Sequence, residues 1–380
     1  MIIYKKREGI KLKIAIDLTS LADNFSGIER YALNISREMI KNDTYNEYIL
    51  LFKNSIHPLY NQLLEDKKVK PVIIQGNNKL IFGQLTLAKE LYRIKADKYI
   101  FLAFPSPVLF RKKGIINTIH DLTAWDYPKT MKFLSKMYFK LGIRNAVKVS
   151  ERILTVSEFS KRRIIEKFKI ENISIIYNGI SDVFLKSSMK MQEKNLSDLK
   201  EKYKLPDSYL MCLCTLEPRK NIELLIKAYV ELRNKNKISE KLVLVGRKGW
   251  KVEKLLNDIN NNYIEDIIIT GFVDDEDLPL IYSEAKCFIF PSLYEGFGIP
   301  VIEAMYMNVP VICSNTSSLP EVINGCGILF ENNNIEDLKD KILAFLNSDE
   351  KEFLSVIKMA RKRAEKFNWH SEAHKLIELL

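Results

Sequence analysis

Glu295 and Glu303, with seven residues between them, flank a loop that carries Gly296 and Gly298. The apolar run Cys287–Phe290 before the loop reads as a buried parallel strand, and residues 301–305 after it read as a helix. Glycines let backbone amides approach a ligand without side-chain obstruction. A strand, a glycine loop and a helix N-terminus together make an anion-binding corner, because first-turn amides are unpaired and the helix dipole is positive there. Two acids beside such a corner make sense if they hold hydroxyl groups, and a nucleotide sugar supplies phosphates and hydroxyls together. The plainer alternative is an ordinary Gly-x-Gly turn followed by an exposed glutamate, and the loop alone does not decide.

Other groups are weighed the same way. His120 and Asp121 directly follow a strand-like run at 115–119, so they project from the end of a strand. A turn with a capped side chain would look the same. Gly27 sits between a first strand, Lys13–Asp17, and a helical pattern at 31–40, which repeats the phosphate-corner layout. No full G-x-G-x-x-G occurs, so a dinucleotide-dependent dehydrogenase has little support. The Asp-x-Asp within 274–277 precedes a helical pattern, where acids stabilise the helix dipole, and it is read as that rather than as a metal site. His370 and His374 share a helix face but lack a third ligand. Cys212 and Cys214 share a strand face with no second Cys or His pair to complete a zinc site.

The elements that must position these groups alternate between apolar runs and helical patterns. Strand-like runs at 48–52, 69–74, 99–101, 115–119 and 153–156 predict a mostly parallel sheet with helices on both faces. Residues 186–206 turn polar and read as an interdomain connection, and a second alternating series follows at 209–214, 242–245, 267–269, 288–290 and 309–313. The fold class is therefore α/β, two tandem Rossmann-like doubly wound domains facing a cleft. The domains are expected at 1–186 and 207–363, joined by 187–206. Ligands in such sheets bind at the carboxyl ends of strands, and interdomain clefts are favoured sites.

At 380 residues the chain has room for two domains, and 47% hydrophobic with 28% charged residues marks a folded protein. Five cysteines in apolar contexts point to reduced thiols and a cytoplasmic setting. The N-terminal stretch lacks the apolar core of a signal peptide, and no run approaches membrane-spanning length. The net charge of +11 is lopsided: residues 1–200 hold 36 Lys and Arg against 20 Asp and Glu. Lys132, Lys136, Lys140, Arg144 and Lys148 recur every four residues on a predicted helix, with Phe133, Met137 and Leu141 at other angles. With the cluster at 111–113, this favours a peripheral contact with an anionic membrane surface. A nucleic-acid binder would instead interleave aromatics with the basic stripe, so no nucleic acid is expected.

Taken in order, several stretches resemble one family. Ser26-Gly27-Ile28-Glu29-Arg30-Tyr31, Thr118-Ile119-His120-Asp121, Ser157-Glu158-Phe159-Ser160 and Tyr177-Asn178-Gly179-Ile180 lie in the first half. Leu216-Glu217-Pro218-Arg219-Lys220-Asn221, Gly271-Phe272-Val273, the Glu295 to Glu303 segment and Ser318-Leu319-Pro320-Glu321-Val322 lie in the second. The chain resembles a family 4 glycosyltransferase of the GT-B type, mannosyltransferase-like, over nearly its whole length.

The resemblance implies that His120, Arg219, Lys220 and Glu295 are catalytic. Arg219 and Lys220 would neutralise the departing diphosphate, Glu295 would grip the donor sugar and His120 would contact it near the reacting carbon. Donor binding would further use Gly27, Phe297, Gly298, Glu303 on the ribose, and Gly271, Phe272 and Val273. It also implies a retaining outcome with no metal and no cofactor beyond the nucleotide-sugar donor. GDP-mannose is the expected donor, with UDP-sugars as the alternative. A lipid-linked or polysaccharide acceptor is expected, on the cytoplasmic face of the cell membrane. The C-terminal helix, 364–380, should cross back to the first domain. Cys214 and Thr215 stand where many relatives have Gly-Arg, which leaves Arg219 to carry that charge.

Overall fold

A computed structural model describes residues 11–21, 27–77, 82–187, 196–247, 249 and 265–380. The loop residues Asn24, Phe25 and Ser26 lie outside these, as does the middle of the polar connection, 188–195. Two parallel sheets organise the chain. The first has seven strands: β1 (Lys13–Asp17), β2 (Glu47–Lys53), β3 (Val69–Ile74), β4 (Lys98–Phe101), β5 (Ile115–Thr118), β6 (Arg152–Thr155) and β7 (Ile173–Ile175). Their order is β3-β2-β1-β4-β5-β6-β7. The second has six: β8 (Tyr209–Leu213), β9 (Lys241–Val245), β10 (Ile267–Gly271), β11 (Cys287–Phe290), β12 (Val311–Ser314) and β13 (Ile328–Phe330), in the order β10-β9-β8-β11-β12-β13. Both orders reverse beside their first strand, which opens a crevice at β1/β4 and at β8/β11.

Strands buried on both faces read as continuous apolar runs, as in Cys287–Phe290, where every residue is buried. The helices that bear on the site are α1 (Gly27–Asn42), α2 (Phe133–Val149), α3 (Glu158–Phe168), α4 (Leu196–Tyr203), α5 (Ile222–Asn234), α6 (Ile299–Tyr306) and α7 (Trp369–Glu378). α4 lies within 187–206, the segment read as an interdomain connection. Leu199, Tyr203 and Leu205 are buried in the main core, and the Tyr203 hydroxyl donates to Asp277 at 2.8 Å. The segment looks polar because α4 buries only one stripe and presents lysines on the others.

α7 packs against α1. Trp369 stands edge-on to Tyr31 at 5.8 Å, and Glu372 accepts from the Tyr177 amide at 2.9 Å. Gly179 sits where α7 begins: a Cβ there would come within 2.6 Å of the Trp369 nitrogen. One apolar cluster runs from the first sheet through α7 to the second sheet, so the lobes share a core along that side.

Candidate functional site between the two lobes

The 292–298 loop leaves β11, the strand next to β8 at the reversal point of the second sheet. Its shape is set from both lobes. Ser318 Oγ donates to the carbonyls of Glu295 and Phe297 at 3.1 and 2.7 Å, and Ser317 Oγ accepts from the Glu295 amide at 2.9 Å. Ser157 of the first lobe donates to the Gly296 carbonyl at 2.7 Å. Glycine is required twice. A Cβ on Gly296 would come within 2.5 Å of the His120 carbonyl, and Gly298 has φ +110° where it starts α6.

Arg219 and Lys220 lie on the turn after β8, just before α5. Lys220 Nζ reaches Glu295 Oε1 at 2.6 Å. Arg219 Nη1 reaches Glu295 Oε2 at 3.0 Å and the Tyr294 carbonyl at 2.7 Å, while its Nη2 pairs with Glu217 at 3.0 Å. Burial alone would raise the Glu295 carboxyl, but Arg219 and then Lys220 overcome it and hold the group at about 2. Burial works against the Arg219 charge, and Glu295 and Glu217 more than restore it.

Glu303, on α6, behaves in the opposite way. It is 4% exposed, and its nearest hydrogen bond comes from the Tyr282 hydroxyl at 3.2 Å. Burial raises it to about 7, against the opposing charge of Arg30. Arg30, on α1 of the first lobe, pairs across the gap with Asp275 at 2.8 Å. Asp274 and Asp277 both pair with Lys202 at 2.9 Å. The acidic run is thus spent on ion pairs, and among the described residues no three His, Cys, Asp or Glu side chains gather as a metal site would require.

His120 follows β5. Its Nε2 lies 2.9 Å from the Leu102 carbonyl, which can only accept, so Nε2 carries the proton and the neutral ring keeps Nδ1 as an acceptor. Burial pushes its pKa down, so the ring is neutral near pH 7. Tyr31 stands edge-on to it at 5.0 Å.

Gly27, His120, Arg219, Lys220, Glu295, Phe297, Gly298 and Glu303 line one cavity of about 460 Å³ between the lobes. Gly271, Phe272 and Val273 do not line it. Phe272 is half exposed and lies 5.6 Å from the Arg247 guanidinium, and Arg247 is the residue that reaches the cavity edge. Asp121, read with His120 as projecting from a strand end, also lines the cavity, and sequence reasoning missed Arg30 and Arg247 there. It also missed a second chamber of about 490 Å³, walled by Phe104, Pro105, Met131 and Phe139, which meets the first at His120, Asp121 and Arg219. No periodicity announces that chamber, because its walls come from segments far apart in sequence.

In the basic stripe on α2, Lys140 and Arg144 lie 5.7 and 6.0 Å from the Trp125 ring, while Lys132, Arg144 and Lys148 are exposed. The helix presents outward Phe133 and Leu134, 68% and 78% exposed, with Met137 and Leu141.

Comparison with known proteins agrees with this geometry. Residues 25–183 match the Glycosyltransferase Family 4 model, and residues 193–363 match Glycosyl transferases group 1. O-antigen chain mannosyltransferase B of Escherichia coli is 32% identical over 267 residues, 69% of this chain and 68% of that protein. The serotype-specific mannosyltransferase WbdA of Escherichia coli is 31% identical over 234 residues, 60% of this chain but only 28% of that longer protein. The Anabaena HepE structure, solved with UDP and glucose, superposes with a TM-score of 0.72 at 16% identity, covering 97% of this chain and 99% of that one. Two doubly wound domains, a cleft lined by the motif residues and these matches converge: the chain belongs to the family 4 glycosyltransferases, with the GT-B fold.

Proposed function

We propose that the chain transfers mannose from GDP-mannose, with retention and without a metal ion, to a lipid-linked glycan acceptor in cell-surface polysaccharide synthesis. The observation that carries this reading is the convergence of Lys220, Arg219, Glu295, Glu303 and His120 on one interlobe cavity. The second lobe is then the donor lobe and the first the acceptor lobe. The mannosyltransferase names of the relatives support the choice of sugar.

Glu295 pairs with both cations. When a diphosphate enters, it takes over Arg219 and Lys220, and the Glu295 carboxylate is released to accept from sugar hydroxyls. As the sugar–phosphate bond breaks, charge grows on the departing phosphate. The two cations then stabilise that charge more strongly than they do the ground state, in a setting that already positions them. Glu303 accepts from the ribose hydroxyls. The neutral His120 ring faces the sugar from the other lobe, and the apolar second chamber receives the acceptor beside it.

Thermal-shift measurements test the donor, since a ligand bound only by the native state raises its stability. GDP and GDP-mannose are expected to raise the unfolding midpoint more than UDP, UDP-glucose or UDP-N-acetylglucosamine. Stabilisation by UDP-sugars alone would overturn the choice of GDP-mannose.

The outward apolar face of α2 supports a peripheral seat on the cytoplasmic membrane face, beside the mouth of the acceptor chamber. No helix among the described residues is long and apolar enough to cross a membrane. Replacing Phe133, Leu134, Met137 and Leu141 together by Ser is expected to weaken co-sedimentation with anionic phospholipid vesicles by roughly tenfold or more, since each lost side chain forfeits apolar burial. The unfolding midpoint should hardly move. Unchanged vesicle binding would remove α2 from the contact.

A further inference from the structure

Two motifs lie outside the proposed catalytic groups: Ser157–Ser160, at the start of α3 in the first lobe, and the Ser318–Val322 segment of the second. The structure joins them. Glu321 Oε1 accepts from the Glu158 amide at 2.9 Å, and Oε2 accepts from the Phe159 amide at 3.0 Å. One carboxylate therefore binds two unpaired first-turn amides of a helix that belongs to the opposite lobe, where the helix dipole favours negative charge. Tyr177 Oη adds a contact at 3.3 Å. From the other side Arg363 donates to the Glu321 and Val322 carbonyls at 3.1 and 3.3 Å, which fixes the segment to its own lobe.

The same helix end touches the reaction centre. Ser160 Oγ lies 3.1 Å from the His120 carbonyl and 3.3 Å from the Gly296 carbonyl. Ser157 caps α3 by accepting from the Ser160 amide at 3.0 Å, and its hydroxyl donates to Gly296. The first turn of α3 thus lies between the loop that bears His120 and the loop that bears Glu295.

We infer that Glu321 is a positioning residue for transfer: by strapping the amino end of α3 to the donor lobe, it sets the interlobe register in which His120 faces the donor. The inference rests on the transferase reading above. Glu321 itself lies outside both chambers. Its loss should therefore leave nucleoside diphosphate binding, which uses donor-lobe groups, and act on the step that needs both lobes.

Glu321→Gln keeps the shape but replaces one acceptor oxygen by an NH2 group facing a peptide N–H. It is expected to lower kcat by roughly 10- to 100-fold, the scale of lost charge-assisted hydrogen bonds. The Kd for GDP should stay within about twofold, since none of the groups assigned to GDP changes. Glu321→Asp, which keeps both oxygens, should recover part of the lost rate. Spin labels at Arg162→Cys and Asp340→Cys, both exposed positions of opposite lobes, report the register by distance measurement. The five native cysteines are buried. In the Gln variant the distance distribution should broaden toward longer values. Wild-type kcat in Glu321→Gln, or GDP affinity falling as far as kcat with an unchanged distance distribution, would overturn the inference. Absence of GDP binding and transfer by the wild-type protein would instead refute the proposed function.

Discussion

Lys220→Ala is expected to lower sugar transfer by roughly 10²- to 10³-fold, the cost of removing one preorganised donor from a site where charge develops. Lys220 lies 2.6 Å from Glu295, on the turn between β8 and α5, with its ammonium also 5.2 Å from the Phe290 ring. The fold should persist, because Arg219 still neutralises Glu295 at 3.0 Å. The loss should fall mainly on kcat, since the interaction strengthens as the phosphate departs. Lys220→Arg should restore only part of the rate, because a planar fork does not reproduce a point charge. Wild-type transfer by Lys220→Ala would remove this residue from the mechanism.

Glu303→Gln is expected to separate function from stability. Burial raises the Glu303 carboxyl to about 7, so the folded state prefers its protonated form. Between about pH 4.5 and pH 7 the native protein binds more protons here than the unfolded chain, and this group therefore makes the protein less stable as pH rises through that window. Above pH 7 the ionised group costs up to about 3 kcal/mol. The neutral amide avoids that cost. The variant should therefore be more stable than wild type at pH 8, and the advantage should vanish at pH 4, where Glu303 is protonated in both states. Donor affinity should fall roughly 10- to 100-fold, because a charged acceptor for the ribose hydroxyls is lost. Denaturant unfolding at the two pH values and calorimetric titration with GDP-mannose check both halves. A variant less stable than wild type at pH 8 would contradict the account.

The Glu295–Glu303 corner was legible in the sequence because its parts are contiguous: an apolar strand, two glycines and a helix in 17 residues, Cys287–Glu303. The alternating series also gave both sheets, since strands buried on both faces announce themselves. The strands β7 and β13 escaped because each is three residues long, too short for any periodicity. α4 escaped because its two buried residues, Leu199 and Tyr203, stand among lysines and acids in a short helix. Arg30 and Arg247 were hidden for a different reason. Each acts at the cavity through a partner distant in sequence, Asp275 for Arg30 and Phe272 for Arg247, and spacing along the chain carries no record of that.

The central claim is that cations on the β8 turn and acids on the β11 loop and α6 activate a nucleotide sugar across from His120. Release of GDP from GDP-mannose, with and without a polyprenyl diphosphate-linked glycan and in the presence of EDTA, tests it most directly. The account predicts release that requires the acceptor, survives EDTA, and disappears in Lys220→Ala and Glu303→Ala. Equal release by those variants, or no acceptor-dependent release from any nucleotide sugar, would contradict it.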